Sequence, residues 1–272
     1  MEMIPSYQVS SLRQGLQPQA VDAPAALVSD QPQSLLDLPA GEARESLRAV
    51  HAVLNRTLDQ PTLAIYEAGG GSTSFLPPSL LQRADVTVVD IDKDQLANND
   101  YAQHKILGDI QTHRFPRDCF DLVICYNVIE HLPDVEAALR RFCESLRRGG
   151  VILIGAPNPA SLSGVVTKFS PHWFHVWYYR HIRGKKDAGQ PGQAPFPVYY
   201  HPLVSLDRLK AFARGQGLEV LFERTYESPR YGELRASKPW LGAIIDVGAA
   251  VLNIFSKSDV RRGDYHLVLR RS

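Results

Sequence analysis

The sequence predicts an α/β fold with a doubly wound, mostly parallel sheet. Four short apolar runs, typical of strands buried on both faces, lie at residues 63–67, 86–90, 120–127 and 151–156. Helical patterns separate these runs, and between the last two the apolar residues return at helical spacing, at Val135, Leu139, Phe142 and Leu146. This order is a βαβ unit, and repeated units form a parallel sheet with helices on both faces.

Capping signals mark the ends of the predicted helices. Asp134 is expected to cap the start of the helix between the last two runs, and Gly149 to end it. Another helix is predicted at residues 205–216, with Ser205 as N-cap and Gly217 after its last turn. Two further strands are predicted at residues 218–226 and 265–271.

The composition changes ahead of the first strand. Residues 1–40 are rich in Gln, Pro, Ser and Ala, which indicates a loosely ordered arm. An amphipathic helix is predicted from Glu42 to Leu58, with apolar residues at Leu47, Val50, Leu54 and Leu58. We therefore expect an N-terminal arm and helix over residues 1–58 and a main domain over residues 59–272.

A long connection follows the strand at 151–156, which we take as the fifth of the sheet. It covers about residues 157–204, whereas connections longer than about 12 to 15 residues in a compact domain are generally functional or disordered. Its segments PHWFHVWYYRHIRGKK and PFPVYYH are too aromatic for a disordered linker. We predict a lid or substrate cap at about 157–204.

Composition argues against several classes of protein and site. The 30 Lys and Arg against 29 Asp and Glu give a formal net charge of +1, so no global field favours nucleic acid or acidic lipid. Cys119, Cys125 and Cys143 form no CxxC pair, which argues against a metal site and fits a reducing compartment. The N-terminus lacks a secretory pattern, and the apolar stretch 241–255 contains Asp246 and is too short to span a bilayer. We expect a cytoplasmic monomer or homodimer, without stable membrane insertion but open to peripheral contact.

Chemistry-bearing residues stand at the carboxyl ends of the predicted strands, where open parallel sheets bind ligands. They are Glu67, Gly69, Gly70 and Gly71 after the first strand, Asp90, Ile91 and Asp92 at the second, Gly108, Asp109 and Ile110 before the fourth, and Tyr126 and Asn127 at its end. A glycine run after a strand indicates a tight turn or a close approach to a ligand. Asp90, 19 residues after Gly71, is placed to accept hydrogen bonds from both hydroxyls of a ribose. These ends indicate a nucleoside cofactor.

A dinucleotide fits this loop less well. The G-x-G-x-x-G pattern matches Gly69 and Gly71, but its third glycine position is Ser74. Pro77 and Pro78 also limit the helix whose N-terminus would face a pyrophosphate. An NAD-dependent oxidoreductase is therefore disfavoured and stays open as an alternative.

Four segments, taken in their order along the chain, resemble the class I S-adenosylmethionine-dependent methyltransferases. The segments are EAGGGSTS, VTVVDIDKDQL, the stretch from ILGDIQ to GAPNP, and SLDRLKAFARGQGLEV. The resemblance is to the broad group acting on small molecules, and it covers about residues 60–160 and 200–226. It implies a Rossmann-like sheet, the class I methyltransferase fold, for a methyltransferase domain at 59–272. It also implies S-adenosyl-L-methionine as the cofactor.

The resemblance assigns roles to individual residues. It implies that Glu67, Gly69 and Gly71 approach the amino acid end of the cofactor and that Asn127 lies near the methionine moiety. It further implies that Asp90 holds the ribose hydroxyls, Ile91 packs on the adenine, and Asp109 bonds the adenine amino group. The implied cofactor-binding set is Glu67, Ala68, Gly69, Gly70, Gly71, Asp90, Ile91, Asp92, Gly108, Asp109, Ile110, Tyr126 and Asn127.

The predicted function is methyl transfer from S-adenosylmethionine to a small-molecule acceptor by in-line displacement, a reaction of small-molecule biosynthesis. The alternatives are a catalytically inactive methyltransferase-like binding protein and the oxidoreductase. The third glycine of the family's E-x-G-x-G-x-G pattern is Thr73 here, which supports the inactive alternative. Nucleic-acid methylation is disfavoured, because NVIEHLPD differs from the N/D-P-P-Y/F segment of enzymes that methylate the amino groups of bases.

Candidates for catalysis and acceptor binding are less well defined. His131, after the fourth strand, is a candidate general base, and the competing interpretation is that it braces the turn beside Glu130. Aromatic and histidine side chains of the lid either line an acceptor pocket or pack the lid onto the sheet; they are His172, Trp173, His175, Tyr199, Tyr200 and His201.

Two further features of the sequence have a plain and a functional interpretation. The basic run Arg180, His181, Arg183, Lys185 and Lys186 is either a solvated face or a site for an anionic substrate or membrane surface. A helix is predicted at about 239–256, with Leu241, Ile244, Ile245, Gly248, Val251, Leu252 and Phe255 on one face. That face is expected to pack in the core or a dimer, or else to lie at an interface beside a lipid-like acceptor.

Overall fold

The computed structural model describes residues 41–162, 164–165, 170, 172–181, 186, 189, 198–199, 201–255 and 259–272. Its strands are β1 Leu63–Ala68, β2 Ala84–Asp90, β3 His104–Leu107, β4 Phe120–Tyr126, β5 Leu146–Pro157, β6 Leu218–Tyr226 and β7 Asp264–Arg271. Its helices are α1 Glu42–Thr57, α2 Pro78–Leu81, α3 Lys93–Ala97, α4 Val135–Ser145, α5 His172–His181, α6 Leu206–Gly215, α7 Pro229–Ser237 and α8 Pro239–Phe255. The predicted arm at 1–40 and most of the predicted lid lie outside the described residues.

The strands form one seven-stranded sheet in the order β3-β2-β1-β4-β5-β7-β6. The first five strands are parallel, and β7 is antiparallel to both of its neighbours, β5 and β6. The predicted doubly wound, mostly parallel sheet is therefore confirmed. The chain order reverses between β1 and β4, and a crevice opens there at the carboxyl ends of the strands.

Helices cover both faces of the sheet. On one face, Val50 and Leu54 of α1 pack with Leu80 of α2 and Leu96 of α3 in one apolar core. On the other face, Leu139 and Phe142 of α4 pack with Leu209 of α6 in a second core. The predicted amphipathic helix after residue 41 is confirmed, because its apolar stripe at helical spacing is fully buried.

Helix α4 ends earlier than the sequence predicted. Asp134 caps its start as expected, since the Asp134 Oδ1 accepts a hydrogen bond of 2.9 Å from the amide of Ala137. The prediction that Gly149 ends the helix is wrong, because α4 stops at Ser145 and Leu146 already pairs with Phe120 of β4. Gly149, with a φ of 77°, lies where the β4–β5 register shifts. Sheet pairing overrides the local C-cap signal here.

Two elements differ from expectation. Strand β3 is a short, largely exposed strand at the sheet edge, and it was not among the four apolar runs. Helix α8 forms where predicted, but Ile244, Val251 and Leu252 of its expected packing face are exposed. These three residues therefore do not pack in the core, and packing in a dimer or at an interface stays a prediction. Of the helices in the described ranges, none is long and apolar enough to cross a membrane.

Candidate functional site

A cavity of about 640 Å³ opens at the carboxyl ends of β1, β2 and β4. All thirteen residues predicted to bind the cofactor line it except Gly108. The cavity is also lined by Thr73 of the glycine pattern and by described residues that the sequence did not single out for this site, namely Ser72, Phe75, Gln95, Gln111, Ile124, Val128, Leu132 and Pro133. The structure therefore brings five separated stretches of the chain together around one space.

The glycine loop after β1 presents bare backbone to this cavity. Gly69 and Gly71 adopt φ values of 69° and 54°, in the left-handed region that favours glycine. A Cβ at Gly69 would lie 2.6 Å from a methyl carbon of Val128, and one at Gly70 would lie 2.9 Å from the Cβ of Glu67. Thr73, at the third glycine position of the pattern, is exposed and does not adopt a positive φ, so a side chain fits there without strain.

Glu67 is buried at the end of β1 under two hydroxyl donors. Tyr101 Oη donates a hydrogen bond of 2.8 Å to its Oε2, and Ser74 Oγ donates to its Oε1. Burial raises the pKa of Glu67 to about 7, against the opposing effect of these two hydrogen bonds. The carboxyl group therefore changes its charge near neutral pH while facing the cavity.

Asp90 fastens the glycine loop to the end of β2. Its Oδ2 accepts a hydrogen bond of 3.0 Å from the amide of Gly71, and its Oδ1 accepts one of 2.8 Å from the amide of Asp92. Asn99, which is buried, holds the other side of the loop by donating to the carbonyl oxygen of Gly71 at 2.7 Å. Next to this carboxylate, Ile91 leaves 77% of its surface exposed at the cavity.

Asp109 is occupied by a neighbouring amide side chain. The Nε2 of Gln111 lies 3.0 Å from each carboxylate oxygen of Asp109, and the Gln111 backbone amide donates to Oδ1 at 2.8 Å. The Oε1 of Gln111 in turn accepts a hydrogen bond from the amide of Asp134 at the start of α4. Gln111 therefore connects the segment after β3 to α4, the helix that follows β4.

An aromatic pair forms another part of the cavity wall. The rings of Phe75 and Tyr126 stack with centroids 3.9 Å apart, and both line the cavity. His51 of α1 fixes Phe75 through a hydrogen bond of 2.7 Å from its Nε2 to the Phe75 carbonyl oxygen. A Cβ at Gly155 of β5 would lie 2.5 Å from the Tyr126 ring, so this position accepts only glycine unless the ring moves.

Asn127 turns the chain sharply after β4. Its φ is 55°, in the left-handed region that Asn tolerates better than most residues, and its amide donates to the carbonyl oxygen of Gly155 at 2.8 Å. This conformation directs the following segment, Val128 to Leu132, along the cavity.

His131 lies in the short 3-10 turn Ile129–His131 and lines the cavity. Its Nε2 is 3.8 Å from Oε1 of the buried Glu130, so the two side chains lie next to each other, as the sequence predicted. Tyr199 reaches the same turn, because its amide donates a hydrogen bond of 2.9 Å to the carbonyl oxygen of Glu130. One described residue of the predicted lid is thereby placed at the cavity beside His131.

The other predicted acceptor residues are not gathered there. Trp173 on α5 is 68% exposed and, like His201, is not part of the cavity lining. His201 instead precedes a 3-10 turn, where its Nδ1 accepts a hydrogen bond from the amide of Leu203. The side chains of His172 and His175, and the whole of Tyr200, lie outside the described residues.

Comparisons with known proteins agree with this fold. Residues 66–154 match the family model described as a methyltransferase domain. No curated protein matches the chain in sequence. Among solved structures, one described as loganic acid methyltransferase with SAH has a TM-score of 0.52 at 14% identity, over 84% of this chain and 92% of that one.

Two further structures share the fold at similarly low identity. A putative sarcosine dimethylglycine methyltransferase from Galdieria sulphuraria has a TM-score of 0.51 at 15% identity, over 84% of each chain. The [4+2]-cyclase SpnF has a TM-score of 0.51 at 14% identity, over 90% of this chain and 88% of that one. Because a cyclase shares the fold, the fold alone does not set the activity. The chain therefore has the class I methyltransferase fold, and its residues 66–154 match the methyltransferase-domain family model.

Proposed function

We propose that this enzyme transfers the methyl group of S-adenosylmethionine to a small-molecule acceptor bound in the same cavity. The observation that carries the proposal is the continuity of the cavity from Glu67 and the glycine loop to His131 and Tyr199. Its volume of about 640 Å³ falls in the range typical of small-molecule sites, about 300 to 1,000 Å³.

The residues around the cavity fit the cofactor. Gly69 and Gly71 line the cavity with positive φ values, so the loop backbone suits the close approach of the methionine end beside Glu67 and Asn127. Asp90 retains acceptor capacity for the ribose hydroxyls, since its Oδ2 accepts one hydrogen bond from the amide of Gly71 and its Oδ1 one from the amide of Asp92. Exposed Ile91 offers an apolar surface for the adenine.

Asp109 is proposed to meet the adenine amino group together with Gln111. Gln111 already donates to both Asp109 oxygens, so it either shares the carboxylate with the base or rotates away from it. Residues 59–272 are proposed as one methyltransferase domain, with the lid at about 157–204 closing over the acceptor. The amide of Tyr199 on the Glu130 carbonyl oxygen supports that position for the end of the lid.

The bound cofactor supplies a methyl group that its sulfonium has already activated. The protein's own part is to orient the acceptor and to keep water out with the apolar walls formed by Phe75, Val128 and Leu132. We propose that His131 takes the acceptor's proton at a ring nitrogen when that acceptor is a hydroxyl. The competing role for His131 is to brace the turn at Glu130.

The structure offers less support for the alternative functions. Helix α2, which follows the glycine loop, has only four residues and begins at Pro78, which is a poor site for a dinucleotide pyrophosphate. The inactive alternative rested on Thr73, and that residue occupies its position without backbone strain. Neither alternative gains an observation in its favour.

A transfer assay tests the proposal. The full chain is incubated with S-adenosylmethionine labelled in the methyl group and with a whole-cell extract that contains metabolites, protein and nucleic acid. We expect the label in dialysable products, and we expect Asp90→Ala to abolish the transfer while Asp59→Ala, a surface control, retains it. Label found only in protein or nucleic acid would overturn the small-molecule acceptor. Absence of transfer by a chain that binds S-adenosylhomocysteine would favour the inactive alternative.

The role of His131 has its own test, once a labelled product is available. As a general base, His131→Gln lowers kcat by about 10²-fold or more and removes a basic limb from the pH profile, while S-adenosylhomocysteine binding and Tm stay unchanged. If the residue only braces the turn, the same variant lowers Tm and leaves the shape of the pH profile intact.

A further inference from the structure

Helix α8 carries an apolar stripe on its outer side. Trp240, Ile244, Val247, Val251 and Ile254 are each more than half exposed. They follow one another at alternating intervals of four and three residues, so they lie along one line of the helix surface. A contiguous apolar strip of this length on a protein surface marks an interaction site.

The polar side chains of α8 are bound to the rest of the protein. Asp246 accepts hydrogen bonds from Arg235 of α7, at 2.5 Å from Nη2 and 3.2 Å from Nε. Asn253 donates to Asp259 and accepts from the amide of Val260, each at 2.8 Å. These contacts fix the rotation of the helix, and the stripe cannot turn inward unless they break. Its outward direction is therefore built into the fold.

The residues beside the stripe favour lipid over a second helix. Paired helices use charged residues next to the apolar seam to choose a partner, but here the exposed flanking residues are Ala243, Ala250 and Leu252. Trp240 stands at the N-terminal end of the helix and Lys238 immediately before it. Indole rings and basic groups at the edge of an apolar surface are characteristic of the membrane–water interface.

A second helix repeats this chemistry. On α5, Trp173 and Trp177 are 68% and 44% exposed and lie one turn apart. Arg180 and His181 follow one turn later and are exposed as well, as is Lys186 beyond the helix. Exposed tryptophans followed by basic residues suit a surface of anionic lipid headgroups.

We propose that α8, together with α5, binds the surface of an anionic lipid bilayer, with α8 lying along the interface. The apolar stripe enters the boundary between headgroups and acyl chains, while Asp246 and Asn253 keep the helix attached to the enzyme. This proposal does not depend on the identity of the methyl acceptor or on the function of His131.

Vesicle sedimentation with the full chain tests the proposal. The probes are vesicles of phosphatidylcholine alone and vesicles in which part of it is replaced by phosphatidylglycerol. We expect binding to the mixed vesicles that weakens as salt is raised, and weaker binding to the neutral ones. Val247→Glu is expected to weaken binding about tenfold or more, because it places a charge in the stripe. The matched control is Val220→Glu, at an exposed position of β6. This variant is expected to bind vesicles like the parent chain.

A double variant, Trp173→Ser with Trp177→Ser, tests the contribution of α5 separately. It should reduce binding to the mixed vesicles. Circular dichroism and S-adenosylhomocysteine binding show that each variant is folded. They also distinguish a loss of vesicle binding from a loss of cofactor binding at the methyltransferase site. Equal vesicle binding by Val247→Glu and the parent would overturn the proposal. A different set of results would show that the stripe is a subunit interface instead. In that case the parent chain is dimeric by light scattering, Val247→Glu makes it monomeric, and the parent does not bind vesicles.

Discussion

The Nε2 of His266 lies 2.6 Å from the hydroxyl of Tyr126, although the two residues are 140 positions apart in the sequence. The same nitrogen is 3.0 Å from the hydroxyl of Tyr226, and the Nδ1 is 2.7 Å from Oγ of Ser46 on α1. His266 is completely buried in β7. Because Tyr126 forms part of the cavity wall, this network connects helix α1 and strand β7 to the candidate site.

Replacing His266 is expected to destabilise the fold. His266→Leu leaves buried hydroxyls of Ser46, Tyr126 and Tyr226 without this partner, so the free energy of unfolding should fall by about 2 to 4 kcal/mol. Denaturant titration measures this change. The matched control His104→Leu, at an exposed position of β3, should change it by about 1 kcal/mol or less. Equal midpoints for the two variants would contradict a structural role of the network.

Stability should depend on pH through the same residue. Burial lowers the pKa of His266 to about 3 from its ordinary 6.5, and burial also lowers the pKa of His51. Between those two values the unfolded chain binds a proton that folded His266 does not, so this contribution to stability is present above pH 6.5 and is lost as pH falls towards 3. The stability difference between the parent and His266→Leu should therefore shrink by about 1 to 2 kcal/mol from pH 7 to pH 5. A constant difference would show that His266 titrates normally in the folded protein.

Glu67 should act with the opposite sign. Its pKa is raised to about 7 from 4.5, so the folded chain holds a proton that the unfolded chain releases, and stability is lost as pH rises through 7. Glu67→Gln removes this dependence, and relative to the parent it should gain about 2 to 3 kcal/mol between pH 5 and pH 8. Thermal or chemical unfolding at the two pH values measures it, with exposed Glu219→Gln as the control. If the relative stability of Glu67→Gln does not change with pH, the carboxyl group is not protonated in the folded protein.

Asn127 allows the backbone and the proposed cofactor contact to be separated. Because its φ is 55°, Asn127→Ala should lower the free energy of unfolding by about 1 kcal/mol, whereas Asn127→Gly should be nearly neutral. Both variants should weaken S-adenosylhomocysteine binding if the side chain contacts the methionine end. Unfolding and calorimetric titration together give the two readouts. Full affinity in Asn127→Gly would assign the residue a purely conformational role.

Local patterns predicted the elements and the strand ends well. The glycine loop, Asp90 and Asn127 follow directly from where apolar runs stop, because parallel strands bring their carboxyl ends to one edge. Gly149 shows the limit of such signals, since pairing of Leu146 with Phe120 overrode a plausible helix end.

The contacts that tune the site were beyond sequence reasoning, because they join distant stretches. Tyr101 reaches Glu67 across 34 residues, and His266 reaches Tyr126 across 140. Neither Tyr101 nor His266 belongs to a motif, and only the folded sheet brings them into contact with the cavity residues Glu67 and Tyr126. The exposed stripe of α8 was visible as an apolar helix, but its outward direction depends on the hydrogen bonds between Arg235 and Asp246.

Calorimetric titration with S-adenosylhomocysteine tests the central assignment of the cavity most directly. The parent chain should bind one equivalent, Asp90→Ala should bind at least about tenfold more weakly, and Asp94→Ala, whose side chain lies outside the cavity lining, should match the parent. Equal affinities for the parent and Asp90→Ala, or no binding by a folded parent chain, would contradict the account.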